Sequence, residues 1–294
     1  MKVRKAVIPA AGFGTRLLPQ TKAMPKEMLP IVDKPIIQRV VEELVEAGIK
    51  DIIIVTGYHK RSIEDHFDKP SNDLIKNLTD GGPAKQKMLD ELNSISEMAN
   101  FIYVRQKGPY GNGTPLLNVR HIIGNEPFIY TWSDDFIEAS PVSRFRQLIN
   151  TYDEYQSSVL GCFRINKDVD YDRCGVVAGG ELKKGLLIVD NIIEKPGKAK
   201  APSDLAAVSG YLFTPDIFDY LDEAVSTIGE GQELYYVDAL KLMLRDKKRI
   251  LALEIENGKY YDTGNKLEYL KTVVEFGLKH PEIGADFQQF LSSL

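Results

Sequence analysis

The sequence predicts an α/β protein organised on a doubly wound, mostly parallel sheet flanked by helices, with a small antiparallel excursion. Three observations carry this reading. Short continuous apolar runs, such as Ala6-Val7-Ile8 and the stretch 51–56, have the composition of strands buried on both faces. Segments with apolar residues at helical spacing separate these runs, and strands alternating with helices build parallel sheets. The stretch 170–194, with CGVVAGG, a Lys-Lys-Gly turn and LLIVDNIIEKP, reads as antiparallel strands joined by a turn.

The elements follow in order. After the first strand comes PAAGFGT, then a segment carrying Pro19, Pro25, Pro30 and Pro35 that is expected to run extended, because proline fixes φ and lacks an N–H. Ile36, Ile37, Val40, Val41, Leu44 and Val45 recur at helical spacing, and Gly48 supplies a stop. The strand 51–56 completes a strand–helix–strand unit. RSIEDHF reads as a helix, and 69–100 as two short helices broken at Gly81-Gly82-Pro83. Strand 101–104 leads into a second glycine-rich loop with Gly108, Gly111 and Gly113 at its corners, and a helix over 116–123 follows. Strand 128–133 ends on Asp134-Asp135. A helix over 143–155, strands over 158–163 and 206–213, and a helix over 215–224 continue the alternation. A turn at Gly229-Glu230-Gly231 precedes a helix over 237–245. Strands at 250–255 and 258–262 and a helix over 266–278 close the chain. The whole reads as one Rossmann-like domain over 1–294, with a helical insert at 69–100 and a C-terminal helical segment at 265–294.

Composition narrows the function. Hydrophobic content of 43% and charged content of 27% are those of a soluble globular protein. A net charge of -5 argues against nucleic acid as partner. No run approaches the length of a membrane span or of a signal peptide's apolar core, which points to a cytoplasmic protein. The 2 cysteines, Cys162 and Cys174, fit neither a disulfide framework nor a zinc cluster, and the 4 histidines lack the spacing of a zinc motif.

The chemistry concentrates in the first loop. Gly12 and Gly14 permit left-handed backbone, and a strand emptying into small residues aims successive N–H groups at one point, an anion nest. Arg16 adds a planar fork matched to phosphate oxygens, and Lys26 a second cation. The loop meets neither the dinucleotide fingerprint, since Leu17 stands where the third glycine would be, nor the P-loop, since no Gly-Lys-Ser/Thr follows. In doubly wound sheets ligands sit beyond the carboxyl ends of the strands. Both glycine-rich loops and Asp134 fall there. Standing alone, Asp134-Asp135 reads as a solvated strand end or a helix cap, Asp262 as a turn residue, and Glu194-Lys195 as exposed loop.

AAGFGTRLLPQTKAMPKEMLPIVDKP resembles the signature of the sugar-nucleotide pyrophosphorylases. IEDHFD, VRQ, CGVV, IEKP and YDTGNKLEYLKTVVEFGLKHPEIG follow in the order that family shows, and the helical insert and C-terminal block resemble its uridylyltransferase branch. The resemblance implies transfer of a uridylyl group from UTP to glucose 1-phosphate with Mg2+, giving UDP-glucose and pyrophosphate. Its rivals are the same chemistry with another nucleotide or sugar, as in a thymidylyltransferase, and a silent UDP-sugar-binding homologue. By the resemblance, Arg16 and Lys26 are catalytic. The backbones of Ala10, Ala11, Gly12 and Gly14, the side chains of Glu27 and Gln106, and Gly111 under the base hold the nucleotide. Gly175, Glu194 and Lys195 hold the sugar phosphate, and Asp134 and Asp262 the metal; Asp135 keeps the cap reading. A homo-oligomer, dimer or tetramer, is implied. Cys174 reads as packing, and Tyr235, Tyr236, Tyr260 and Tyr261 as core or interface. Three places depart from the family pattern: Tyr110 to Pro115, Tyr130 to Ser133, and Ser209-Gly210-Tyr211.

Overall fold

A computed structural model of the chain describes residues 1–229 and 231–294, so Glu230 and the turn expected there lie outside the described residues, as does the side chain of Ser209. Strands β1 (Lys5–Ala10), β4 (Asp51–Thr56), β5 (Asn100–Arg105) and β6 (Phe128–Tyr130) form the parallel half of a 9-stranded sheet in the order β5-β4-β1-β6. Two short strands, β2 (Pro30–Ile31) and β3 (Lys34–Pro35), make a hairpin apart from it. The other half is β11 (Leu205–Phe213), β8 (Ser158–Arg164), β12 (Ile250–Glu254), β10 (Leu186–Glu194) and β9 (Gly175–Lys183).

The antiparallel share is larger than a local excursion. β11 runs antiparallel to both β6 and β8, and only β12 and β8 are parallel on that side. The β9–β10 hairpin is the one legible in the sequence. Its end folds over β11, which pairs with β9 as well as with β8.

Helices α1 (Ile36–Glu46), α2 (Arg61–Phe67), α5 (Thr114–Ile123), α6 (Arg144–Tyr155), α7 (Ile217–Thr227) and α8 (Tyr236–Arg245) flank the sheet, and α3 (Asn72–Asp80) and α4 (Pro83–Glu97) form the insert. The chain ends in α9 (Lys266–Lys279) and α10 (Gly284–Ser292). Apolar periodicity makes these elements: the inward residues of α1, Ile37, Val40, Val41 and Leu44, meet Ile8, Ile52 and Ile54 in one core, while Val7, Ile53, Val55 and Leu116 belong to a second. Alternate residues of β1 and β4 thus feed opposite faces, as a period of 2 requires. No helix among the described residues is long and apolar enough to cross a membrane.

Two local expectations need correction. Residues 15–28 do not run extended: Thr15–Leu17, Gln20–Lys22 and Lys26–Met28 each close a 3-10 turn. Proline at 19 and 25 interrupts the segment without straightening it, because each turn needs only one i→i+3 bond. Asp135 caps no helix. Strand pairing ends at Tyr130, and Asp135 opens β7 (Asp135–Ala139), which pairs antiparallel with β13 (Gly258–Asp262) in a small sheet of its own.

Two contacts hold the loops at the carboxyl ends of the parallel strands. Glu27 is wholly buried, and Lys60, 5% exposed, donates to its Oε2 at 2.7 Å. Burial pushes the Glu27 carboxyl up against the opposing pull of Lys60 and Lys26. The pair ties the turn after β1 to the one after β4. The loop after β5 is laced to the residues before α8: Leu234 N–H donates to Tyr110 O, and Gly113 N–H to Leu234 O, both at 2.8 Å. Gly111 has φ +118°, and a Cβ there would lie 2.1 Å from Leu234 O.

Two outcomes follow at the level of stability. Lys60→Met leaves Glu27 buried without its cation and lowers the unfolding free energy by about 3–5 kcal/mol. Because Glu27's folded pKa lies above the ordinary 4.5, its charged-state penalty fades as pH falls toward that value, so denaturant titrations show the deficit shrinking in acid. Gly111→Ala combines a positive φ with a backbone collision, and calorimetry shows a lower melting temperature, with the Tyr110–Leu234 lacing the first to open in hydrogen exchange.

Candidate active site

The site lies at the strand ends that the doubly wound topology assigns to ligands. β1 delivers Ala10, and Ala11, Gly12 and Gly14 turn over its end. Gly14 takes φ +66° and ψ 31°, and a Cβ there would press on Thr21 and Lys26 at 3.1–3.3 Å. Glycine meets both constraints without strain, and the turn that results carries Arg16 and Lys26 into the cleft.

Asp134 lies just beyond β6 and meets Lys26: Nζ is 2.5 Å from Asp134 Oδ2, a charge-assisted contact between groups that are both mostly buried. Burial alone would raise the Asp134 pKa. Lys26, its hydrogen bond and Arg16 outweigh that and hold the carboxyl below its usual range. Burial likewise works against the Lys26 ammonium, and Asp134 and Glu27 together hold its pKa above the usual value. Lys26 and Asp134 are therefore both charged at neutral pH.

The β7–β13 pair sets Asp262 beside Asp135 in register. The turn beyond β13 is clamped to the same place: Thr263 donates from N–H at 3.0 Å and from Oγ1 at 2.6 Å to the Asp134 carbonyl, and Gly264 N–H donates to Asp262 Oδ1 at 3.0 Å. A Cβ on Gly264 would lie 3.2 Å from Asp262 Oδ1 and 3.3 Å from Asp134 Oδ2, with Arg16 Nη1 at 3.6 Å. The missing side chain leaves room where two carboxylate oxygens face one another. Burial, with Asp134 opposite, raises the Asp262 carboxyl, and the Gly264 N–H and Arg16 oppose. An oxygen-only pair of carboxylates suits Mg2+, which completes its shell with water and substrate phosphate. Among the described residues no group of three or more His, Cys, Asp or Glu side chains gathers to hold a metal by itself.

Across the cleft, Glu194 ends β10 directly opposite Gly175 in β9. Burial pushes the Glu194 carboxyl up, against Lys195, whose Nζ is 3.7 Å from Oε1. Lys195 has φ +47° and donates its N–H to the Cys174 carbonyl at 3.1 Å. A side chain held in left-handed backbone at a cleft marks a constrained position. Cys174 is buried, and burial pushes its thiol up, so it packs and does not act as a nucleophile.

The structure thus brings Arg16, Lys26, Asp134, Asp262, Gly175, Glu194 and Lys195 to one cleft. The expected nucleotide residues divide. Gly12 borders a neighbouring hollow with Phe13 and Lys60. Gln106 is half-buried just past β5, its N–H on the Thr56 carbonyl. The Glu27 side chain does not face the cleft: Lys60 takes its carboxylate inside the protein, because a buried charge requires a counter-charge. Phe13 and Tyr110, both 67% exposed, approach across the mouth with ring centroids 6.4 Å apart. Sequence reasoning missed Trp132, Arg173, Asn112 and Tyr211 on the cleft wall, and it assigned Tyr236 and Tyr260 to core or interface although both line the cleft. Arg173 reaches Asp262 Oδ2 at 3.6 Å. Its place beside CGVV was the available signal; Asn112, Trp132 and Tyr211 lie in the three stretches that depart from the family pattern, whereas Tyr236 and Tyr260 carried no signal beyond that of core residues.

Comparison with known proteins agrees with this geometry. Residues 5–276 match the family described as nucleotidyl transferase. The chain is 44% identical over 293 residues, covering 100% of itself and 97% of the relative, to the UTP–glucose-1-phosphate uridylyltransferase of Bacillus subtilis (strain 168). A crystal structure of a UDP-glucose pyrophosphorylase complexed with UDP-glucose superposes with a TM-score of 0.83 at 38% identity, over 95% of this chain and 100% of that one. A UTP-bound enzyme from Acinetobacter baumannii superposes with a TM-score of 0.86 at 32% identity, over 99% of both chains. With the match running through every element that shapes the cleft, the chain belongs to the nucleotidyl transferase family.

Proposed function

We infer that this chain transfers a uridylyl group from UTP to glucose 1-phosphate, releasing pyrophosphate and forming UDP-glucose. The observation that carries the reading is the position of Lys26, between the phosphate-nest loop after β1 and the Glu194-Lys195 wall, with Asp134 and Asp262 beside it.

The chemistry asks little of acids and bases. A phosphomonoester has a second pKa of about 6 and is largely dianionic at neutral pH, so the nucleophile arrives deprotonated. The barrier is repulsion between two polyanions and the need for in-line geometry. The ammonium of Lys26 would neutralise charge where the sugar phosphate meets the α-phosphate. Arg16 would hold the phosphates that leave. Lys195, fixed by its backbone, would hold the sugar phosphate, and Glu194 would accept from sugar hydroxyls. Asp134 and Asp262 would hold Mg2+, which supplies charge neutralisation at the reacting phosphates. Substrate oxygens would compete with Asp134 for the Lys26 ammonium, and Asp134 would then be free to help hold the metal. The same reading includes a homo-oligomer, and the exposed Leu267, Leu270 and Phe290 of α9 and α10 are its candidate contact.

Pyrophosphate release measured over UTP, dTTP, ATP and GTP against several sugar 1-phosphates tests the assignment: turnover is fastest with UTP and glucose 1-phosphate, and preference for dTTP would overturn it. Asp134→Ala abolishes Mg2+-dependent turnover while circular dichroism stays native. Lys26→Met lowers kcat by about 10²–10³ with the fold retained, the loss typical of removing one charge-stabilising donor.

A further inference from the structure

Three aromatic side chains at the sugar end of the cleft have no part in the reading above. Trp132 follows β6, Tyr211 lies in β11 and Tyr236 opens α8. Their rings meet edge to face or tilted, with centroids 5.3 Å apart for Trp132 and Tyr211, 5.7 Å for Trp132 and Tyr236, and 5.1 Å for Tyr211 and Tyr236. All three border the cleft together with Gly175 and Glu194.

The hydroxyls are ordered by simple accounting. Tyr211 Oη lies 3.0 Å from the Ala207 carbonyl, and a carbonyl only accepts, so the single Tyr211 proton is committed there. Tyr236 Oη lies 2.9 Å from Tyr211 Oη. The proton on that contact is therefore the one Tyr236 carries. Burial holds both phenols well above their usual pKa, so both protons stay in place. Tyr236 Oη then has lone pairs for a ligand and no proton to offer. The body of the residue is fixed as well: its backbone N–H donates to Asn112 Oδ1 at 3.0 Å.

A second acceptor stands beside it. A Cβ on Gly175 would lie 3.1 Å from Glu194 Oε2 and 3.9 Å from Tyr236 Oη. Oxygens from β10 and α8 thus border one spot that glycine leaves open. Two neighbouring acceptors are complementary to two neighbouring hydroxyl donors, and aromatic rings around them suit the C–H face of a pyranose.

We propose that Tyr236 determines sugar specificity: its oxygen accepts a hydrogen bond from one hexose hydroxyl while Glu194 accepts from the adjacent one, so the site selects sugar 1-phosphates bearing a free vicinal diol there. The proposal rests on the reading of this cleft as a sugar-phosphate site. A buried acceptor left unpaired is costly, so a site built this way rejects analogues lacking the donor. A fluorine in place of the hydroxyl accepts and cannot donate, and is rejected equally.

The test compares kcat/KM for glucose 1-phosphate with that for its 2-, 3-, 4- and 6-deoxy and deoxyfluoro analogues, in the unaltered enzyme and in Tyr236→Phe. The unaltered enzyme disfavours two adjacent positions by roughly tenfold or more each, for the deoxy and fluoro forms alike. Tyr236→Phe, which keeps the ring, loses a similar factor on glucose 1-phosphate and uses the analogue altered at one of those two positions as well as the parent, while the other, read by Glu194, stays disfavoured, with KM for UTP unchanged. An equal fall on every analogue, no fall, or a parallel rise in KM for UTP would overturn the proposal. Tyr211→Phe, by freeing the Tyr236 proton, restores use of the fluoro form relative to the deoxy form; no change there counts against it. Absence of turnover by the unaltered protein would refute the uridylyl reading instead, and calorimetric binding of the same sugar phosphates then shows the same pattern of two adjacent positions, or its absence overturns the proposal.

Discussion

The contact between Lys26 and Asp134 is the constraint on which the rest of the site depends. It joins a cation carried by the loop after β1 to a carboxylate carried by the end of β6, adjacent strands of the sheet. Removing either charge leaves the other mostly buried, and the cost of that explains why both ends are so firmly placed. The Asp134 carbonyl receives two donors from Thr263, and Glu27, next to Lys26, is anchored by Lys60. Neither support touches the cleft directly, yet each fixes one partner of the contact.

The arrangement also orders the cleft electrostatically. Arg16, Lys26, Arg173 and Lys195 border it, and Asp134, Asp135, Asp262 and Glu194 interleave with them. Internal pairing keeps such a site stable before substrates arrive, and polyanions can then compete for cations already desolvated. Preorganised charge of this kind costs no reorganisation at the moment of reaction.

Much of this was legible in the chain. Continuous apolar strands and helical periodicity gave the α/β class, and the phosphate-nest loop with Arg16 and Lys26 pointed to the reaction type. Legibility failed where geometry is set by distant partners. Asp135 reads as a cap because local chemistry favours one, but its strand partner, β13, lies far along the sequence. Glu27 reads as a nucleotide contact only through the family resemblance, and only the fold shows Lys60 pairing with it. β11 sits between β6 and β8 through pairings that no local pattern encodes. Tyr211 and Tyr236 carry the spacing of core residues, and they are core residues that also border the cleft.

The small β7–β13 sheet has a consequence in time. Asp262 reaches Asp134 only because β13 pairs with β7, and β13 comes after every strand of the main sheet. During synthesis the glycine-rich loop after β1, Lys26 and Asp134 emerge early, and Gly175, Glu194 and Lys195 later. The second carboxylate comes almost at the end. A nascent or prematurely ended chain can thus bury much of its core while Asp262 is still missing from the cleft, so the cleft wall is completed in one late step rather than accumulated along the way.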